Sequence, residues 1–417
     1  MTLADPQTRF MFHRMGSLAA ASREKAWAAT PDADALKARA IQARDRVLQD
    51  LPGHLARLEQ AVRAQGITVV RANNAQEANR RIVSRLRELH AADALRNHHP
   101  LLDEIRVDEA ARINNIRLTP LLLGDFLARL TDTHSGHPVW PIGHLTVERI
   151  SEALRQHWRV PETYDPDRLA SLVRMRLRRM LLRADVAVMG VNFAVVEDGL
   201  FVFLDNDGHN PSLLSLARHV ILVLSIDQMV ADLEGLQALM RVFALSAWGR
   251  PLPAYIAHLQ QAAPPGVDGP QTLYLIIVDN RRSEIIAQGF GQALRCIHCG
   301  ACHTTCPVYQ QIGGEGYAHS PYTGPIGTVI NPLLLKPELG AQQTFLCDAA
   351  GLCASACPLD IDFHGLRQAF RRRRAGQTRA GEDQRFIALW RYLIHAPRLF
   401  RPFWRRVTRH PNRSQPR

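Results

Sequence analysis

The chain has 417 residues, 46% hydrophobic and 22% charged, with a formal net charge of +12. That length supports two or three domains with their own cores, and the composition is that of a globular protein. No apolar run approaches the roughly 18–20 residues that a bilayer-spanning helix needs, which excludes an integral membrane protein of helical type. The opening stretch MTLADPQTRFMFHRMGSLAAAS carries an early acid and has no sustained apolar core, so no signal peptide is expected and the location is expected to be cytoplasmic. From His364 onward fifteen arginines stand against Glu382 and Asp383, so the excess positive charge belongs to the C-terminal end.

Residues 1–64 form a helical segment by pattern. DALKARAIQARDRVLQDLPGHLARLEQAVRAQG has apolar positions at helical spacing and stops at Gly66. ITVVRANNAQEANRRIVSRLREL then gives a β-branched run, a turn and an amphipathic helix, a βα unit. Strand-length apolar runs follow at VAVMG (186–190), FAVVED (193–198), LFVFLD (200–205), HVILVLS (219–225) and LYLIIVD (273–279), interleaved with helical stretches. The alternation predicts an α/β domain over residues 65–285 with a largely parallel sheet. NFAVVEDGLFVFLDNDG is expected to be a hairpin turning at Asp198-Gly199.

Pro264, Pro265 and Gly266 mark a loop before the last strand. A helix over RSEIIAQGFGQAL should lead into a mainly α-helical module spanning residues 286–375, followed by a basic, aromatic tail over 376–417. GGEGYAHSPYTGPIG is rich in glycine and proline but does not follow a strand and open a helix as a phosphate loop must. It is expected to be a connecting loop.

All seven cysteines fall between residues 296 and 357. In a reducing compartment such clustering points to metal ligands or redox groups rather than structural disulfides. Within RCIHCGACHTTCPVY (295–309), Cys299 to His303 matches a c-type haem attachment site, but that chemistry needs a translocated protein and leaves further cysteines crowding the haem. Zinc prefers paired knuckles, which Cys-x2-Cys-x2-Cys fits poorly. The full run, Cys-x2-Cys-x2-Cys-x3-Cys-Pro, fits iron–sulfur chemistry best. Soft thiolates stabilise iron in both redox states, and the fourth cysteine ligates the other cluster in two-cluster ferredoxins.

That pattern demands a second group, and LCDAAGLCASACPLDI supplies it as Cys347-x5-Cys353-x3-Cys357-Pro358. Cross-ligation assigns Cys296, Cys299, Cys302 and Cys357 to cluster 1, a [4Fe-4S] cluster. Cys306, Cys347 and Cys353 go to cluster 2, whose fourth position falls on Ala350. Cluster 2 is then a [3Fe-4S] centre or a [4Fe-4S] cluster with a non-cysteine corner. Asp348 is the nearest oxygen ligand, two positions too early for a simple replacement. His298 and His303 are expected to be solvated, or to tune the clusters by hydrogen bonds, rather than to ligate iron.

RCIHCGACHTTCPVYQQIGG, YTGPIGTVINPLL and CASACPLDI together resemble the iron–sulfur B subunits of the bacterial three-protein lactate-utilization complex. The resemblance runs back through LYLIIVDNRRSEI and GVNFAVVEDGLFVFLDNDGHN to HPVWPIGH. It implies an upstream domain of the sugar-isomerase/CoA-transferase-like α/β fold and two partner subunits. It also implies a role in passing electrons from L-lactate as it becomes pyruvate, without complete catalysis by this chain alone. The chain departs from the family at Ala350, where a cysteine is usual, and at His98 and His99, where a lysine- and serine-rich segment is usual. A relay for another 2-hydroxy acid such as glycolate, feeding quinone, is the first alternative. A cluster-based redox sensor with a nucleic-acid-binding tail is the second, supported by charge alone; no nucleic-acid partner is expected.

His134, His137 and His144 lie in a proline-rich loop and are expected mainly at the surface. Glu197, Asp205, Asn206 and Asp207 fall at strand ends, where α/β domains bind ligands but where acidic turns are also ordinary. No catalytic residue is assigned. The tail RFIALWRYLIHAPRLFRPFWRRVTRH interleaves arginine with aromatics, which suits docking at the inner face of a membrane or on a quinone-linked partner.

Overall fold

The structure is a computed structural model describing residues 4–134, 136–317, 320–335 and 340–377, with side chains described to Arg374. Everything in the expected tail beyond Gln377 lies outside the described residues. Three helices open the chain: α1 (Pro6–Ala28), α2 (Ala33–Gln49) and α3 (Leu51–Ala64). Asp5 caps α1 by accepting from the amides of Gln7 and Thr8, each at 3.0 Å, with Pro6 in the first turn. No helix among the described residues is long and apolar enough to cross a membrane.

Ten strands follow: β1 (Thr68–Ala72), β2 (Asp93–Arg96), β3 (Arg117–Pro120), β4 (Val186–Gly190), β5 (Phe193–Val195), β6 (Leu200–Asp205), β7 (His219–Ser225), β8 (Met229–Val230), β9 (Tyr255–Leu259) and β10 (Thr272–Val278). Six build a sheet in the order β1-β10-β7-β4-β2-β3, parallel throughout. Helices cover one face, and helices together with the second sheet cover the other, which is why the central strands β4, β7 and β10 are nearly continuous apolar runs. Val186 and Val188 face the helices Ala75–Glu88, Pro100–Glu104 and Val107–Ile113. Ala187 and Met189 face a second core that includes Phe201 and Phe203.

The second sheet, β8-β5-β6-β9, is built on the hairpin between β5 and β6, whose turn closes with Gly199 at φ +59°. Sequence pattern did not disclose this sheet: β8 has two residues, and β9 (YIAHL) is largely exposed and lacks an apolar run. Its outer face, with Phe193, Val195, Val202 and Leu204, packs against α2 and the helix Leu233–Trp248. Ile297 and Leu359 of the cysteine module join that same core.

The cysteine module is helical, with two local corrections to the expectations above. The helix over RSEIIAQGFGQAL breaks at Gly289 (φ +82°) into a helix Arg282–Ala287 and a 3-10 turn Gly291–Arg295. The segment expected as a loop, 313–327, turns helical at its last four residues. Gly324 opens the helix Gly324–Leu334, with Pro325 in its first turn, and every residue of that helix is buried. Burial outweighs the poor helix propensity of two glycines and Pro332.

His137 and His144 are also buried, 3% and 8% exposed, rather than at the surface. His144 stacks on Phe12 of α1 at 5.6 Å between ring centres, so it packs the proline-rich loop against the first helix.

The parallel strands deliver polar residues to one edge, at their carboxyl ends. There Arg282, 1% exposed, donates to Glu104 from both terminal nitrogens (2.7 and 2.6 Å) and from Nε to Asp227 (2.7 Å). Tyr322 of the cysteine module donates its hydroxyl to Glu104 at 2.5 Å, and Arg44 of α2 lies 4.0 Å from Asp227. Nearby, buried Arg96 sits 3.1 Å from each of Asp103, Asp108 and Asp125.

Arg282→Met leaves Glu104 without its buried counter-charge and Asp227 with only Arg44, at 4.0 Å, and should cost about 3–5 kcal/mol. Urea unfolding measures it, and a loss under about 1 kcal/mol would show that the network carries little of the fold. A second expectation concerns acid. Burial holds the His144 imidazole neutral and pushes its pKa down to about 4. The unfolded chain takes up that proton near pH 6.5 and the folded chain only near 4, so lowering the pH through this window favours unfolding. Melting temperature against pH should therefore fall less steeply between 6.5 and 4 in His144→Phe than in the parent.

Candidate iron–sulfur centres and the adjoining cavity

The two cysteine groups adopt the same backbone path twice. Cys296 accepts from the amide of His298 at 3.4 Å, and Cys347 accepts from the amide of Ala349 at 3.3 Å. His298 and Ala349 are both left-handed, at φ +57° and +62°, and each is followed two residues later by a left-handed glycine, Gly300 or Gly351, both at φ +75°. Each glycine opens a one-turn helix, Ala301–Thr305 or Leu352–Ala356, which ends on Cys306 or Cys357. In this register Cys302 corresponds to Cys353, and Cys299 corresponds to Ala350. The position that lacks a thiol is therefore structurally equivalent to a cysteine in the first turn.

None of the seven cysteines is in a disulfide. Cys296, Cys299, Cys302 and Cys357 line one cavity of about 1140 Å³. Cys306, Cys347 and Cys353 do not line it. Cys306 lies in the field of Cys353 and Asp348, and Tyr317 senses both Cys306 and Cys347. Asp348 is exposed, and its carboxylate accepts from the amide of Ala350 at 3.2 Å.

Burial, more than anything else, raises the thiol pKa values: Cys306 to about 11, Cys357 to about 12, with Cys296, Cys299 and Cys302 also raised. Four converging thiolates in such a place repel one another and need a shared cation, and the donor set of soft sulfurs fits iron. Two buried arginines add positive charge. Arg23 of α1 sits in the field of Cys299 and Cys302 and donates to the Thr304 hydroxyl at 3.0 Å; Arg44 of α2 sits in the field of Cys296.

His303 of the first turn is buried and His298 is half-buried. His303, 2% exposed, places Nδ1 3.5 Å from the Cys302 sulfur and Nε2 3.1 Å from the Thr323 hydroxyl. His298 lies with Nδ1 3.8 Å from the Cys296 sulfur and stacks on Tyr322. His137 packs edge-on against His303. Gly300 is required as glycine, because a Cβ there would meet the His137 ring at 2.6 Å.

From the α/β domain the cavity is lined by His98, Asp103, Asp125, His134 and His137. His98 bridges Asp125 (3.4 Å) and the Pro138 carbonyl (3.1 Å), and its pKa is raised because hydrogen bonding and charge from Asp125 outweigh burial. His99 instead has its pKa pushed down to about 3 by burial, and its Nε2 meets the Gln228 side chain at 3.2 Å.

The acidic candidates separate. Glu197 is exposed in the hairpin turn, whereas Asp205, Asn206 and Asp207 sit at the opposite end of β6. Asp205 accepts from the amides of Gly208 and Asn210, each at 2.8 Å, and Asn206 accepts from the amide of Ala254 at 3.1 Å. The sequence reading missed Arg23, Arg44, Glu104, Asp227 and Arg282. Only Arg44 left a legible sign, a charge set in the apolar stripe Leu36, Ala40, Val47 of α2.

Residues 55–278 match the LUD domain and residues 292–361 match the 4Fe-4S dicluster domain. "Lactate utilization protein B" of Macrococcus caseolyticus is 34% identical over 331 residues, covering 79% of this chain and 69% of that protein. The protein of the same name from an Exiguobacterium species is 33% identical over 342 residues, covering 82% and 73%. The "Uncharacterized electron transport protein YkgF" of Escherichia coli is 32% identical over 367 residues, covering 87% and 77%. With a LUD domain, a dicluster module and this extent of identity, the chain belongs to the lactate utilization protein B family.

Proposed function

We propose that this chain is the iron–sulfur electron-carrying subunit of a multi-subunit complex that oxidises L-lactate to pyruvate. The observation that carries the reading is the twofold cysteine turn, with Cys296, Cys299, Cys302 and Cys357 around one cavity and Cys306, Cys347 and Cys353 outside it. The names of the relatives support lactate as the donor and electron transport as the task. When bound, iron–sulfur clusters accept and release electrons singly, which suits dividing the two electrons of a 2-hydroxy acid.

In this reading Cys296, Cys299, Cys302 and Cys357 hold the first cluster, and Cys306, Cys347 and Cys353 hold the second. Amide and imidazole contacts to the sulfurs, with Arg23 and Arg44, favour the reduced, more negative state of the first. Ala350 is exposed and leaves the second with an open corner, which supports a three-iron centre. Phe345, 69% exposed, and Leu352, 47% exposed, flank that turn and offer an apolar face to a partner subunit that takes the electrons. A 2-hydroxy acid other than lactate is the second reading, favoured by His98 and His99, which bring imidazoles to the carboxyl edge of the sheet.

Anaerobic reconstitution with iron and sulfide analysis should give about seven irons, with an oxidised-state EPR signal that dithionite removes. Ala350→Cys should raise the content to about eight and abolish that oxidised signal. Eight irons in the parent would mean that another group completes the corner, and zinc or haem in place of iron would sink the electron-relay reading. Separately, Arg23→Gln should lower the midpoint potential of the first cluster in a redox titration, while leaving iron content unchanged.

A further inference from the structure

The helix Pro166–Leu181 buries Leu169, Val173 and Leu177 in the same core as Ala187, Met189, Phe201 and Phe203. Its opposite face is exposed and carries one sign of charge. Between Arg168 and Ala184 stand Arg168, Arg174, Arg176, Arg178, Arg179 and Arg183, all exposed, with no acidic residue among them. None of the six forms an ion pair with another described residue. By contrast, Arg63, Arg85, Arg106 and Arg281 are each paired with a glutamate three or four residues away.

This arrangement opposes the stability of the free helix. Arg174 stands four residues before Arg178, and Arg176 three before Arg179, spacings at which like charges repel. Arg178 and Arg179 gain from the negative end of the helix, but Arg168 lies in its first turn, where a cation is disfavoured. An anionic surface laid against the face removes both penalties.

The face is not purely charged. Met175 and Leu182 are 50% and 61% exposed. Arg168, Ser171, Met175, Arg178 and Leu182 follow one another at three- and four-residue spacing, so they share one line about 21 Å long. At its edge Arg176 lays its guanidinium over the Trp158 ring, 5.1 Å from the ring centre. Apart from Ser171, the polar side chains of this line are cationic donors. Such a face meets an array of anionic oxygens better than it meets a protein surface, which mixes donors with acceptors. The two apolar side chains need a medium that takes them up, and the phosphates of a nucleic acid do not provide one.

We propose that the exposed face of the helix Pro166–Leu181 docks on an anionic lipid surface, with its arginines on headgroup phosphates and Met175 and Leu182 inserted between the headgroups. This face is separate from the basic tail, and its docking does not depend on the relay reading above.

The test mixes the full chain with sucrose-loaded vesicles of phosphatidylcholine alone, or of phosphatidylcholine with an equal share of phosphatidylglycerol. The bound fraction is read by sedimentation at low and at physiological salt. Binding is expected to the mixed vesicles only, weakening as salt screens the charges. Fifteen arginines from His364 onward attract the same lipid, so the deciding quantity is the change between variants of the full chain. Arg174→Gln, Arg178→Gln and Arg179→Gln together should weaken binding at least roughly tenfold without lowering the melting temperature. Met175→Ser with Leu182→Ser should leave low-salt binding close to that of the parent and lower the fraction that resists salt. No vesicle binding by the parent, unchanged affinity in the arginine variant, or an unchanged salt-resistant fraction in the apolar variant overturns the proposal. A DNA duplex or polyglutamate bound more tightly than the mixed vesicles, with the same arginine dependence, also overturns it and assigns the face to nucleic acid or to an acidic protein.

Discussion

The rest of the molecule depends on one buried cation. Arg282, which opens the helix after β10, is held between Glu104 and Asp227 with four of its hydrogen bonds to carboxylate or hydroxyl partners and a fifth to the Asp279 carbonyl. Burial opposes its charge, yet the two carboxylates raise its pKa well above the ordinary value. Asp227 moves the other way, lowered chiefly by Arg282 and Arg44 against the effect of burial. A buried pair of this kind adds little net stability over packed apolar groups, and its contribution here is registry. Glu104 follows β2, Asp227 follows β7, Arg44 belongs to α2 and Tyr322 belongs to the cysteine module. One guanidinium thereby fixes where four distant segments meet.

That meeting point is where the first thiol group lies. Thiols at such depth stay protonated unless a cation replaces the proton, so the same burial that raises their pKa values also selects for metal. The second group is treated differently by the fold. Asp348, Ala349, Ala350 and Gly351 are exposed. Two nearly identical backbone turns thus place one sulfur set around the larger cavity and the other outside it, with Ala350 exposed where Cys299 stands in the first turn.

Much of the fold was legible because its signals are local. The strands β4, β6, β7 and β10 are buried on both faces and read as uninterrupted apolar runs. The hairpin at Asp198-Gly199 and the helical character of the cysteine module were equally plain. The second sheet was not, since β8 and β9 gain their pairing from neighbours rather than from their own residues. Nor was the helix Gly324–Leu334, whose glycine and proline content argues for a loop until burial decides otherwise. His137 and His144 looked like surface residues because a proline-rich loop usually runs there, but α1 packs over His144 and the cysteine module packs against His137.

The sequence by itself determined the chemistry of the centre. Most of the ligands proposed for each cluster share one short turn, so their spacing along the chain carries the geometry, including the missing thiol at Ala350, while Cys306 and Cys357 are each assigned to the other turn's cluster. Tertiary structure alone decided what surrounds those sulfurs. Arg44 reaches the Leu294 carbonyl across 250 residues, and Arg23 reaches Thr304 across 281. Charge placement at that separation depends on how helices pack on a sheet, and no local periodicity records it.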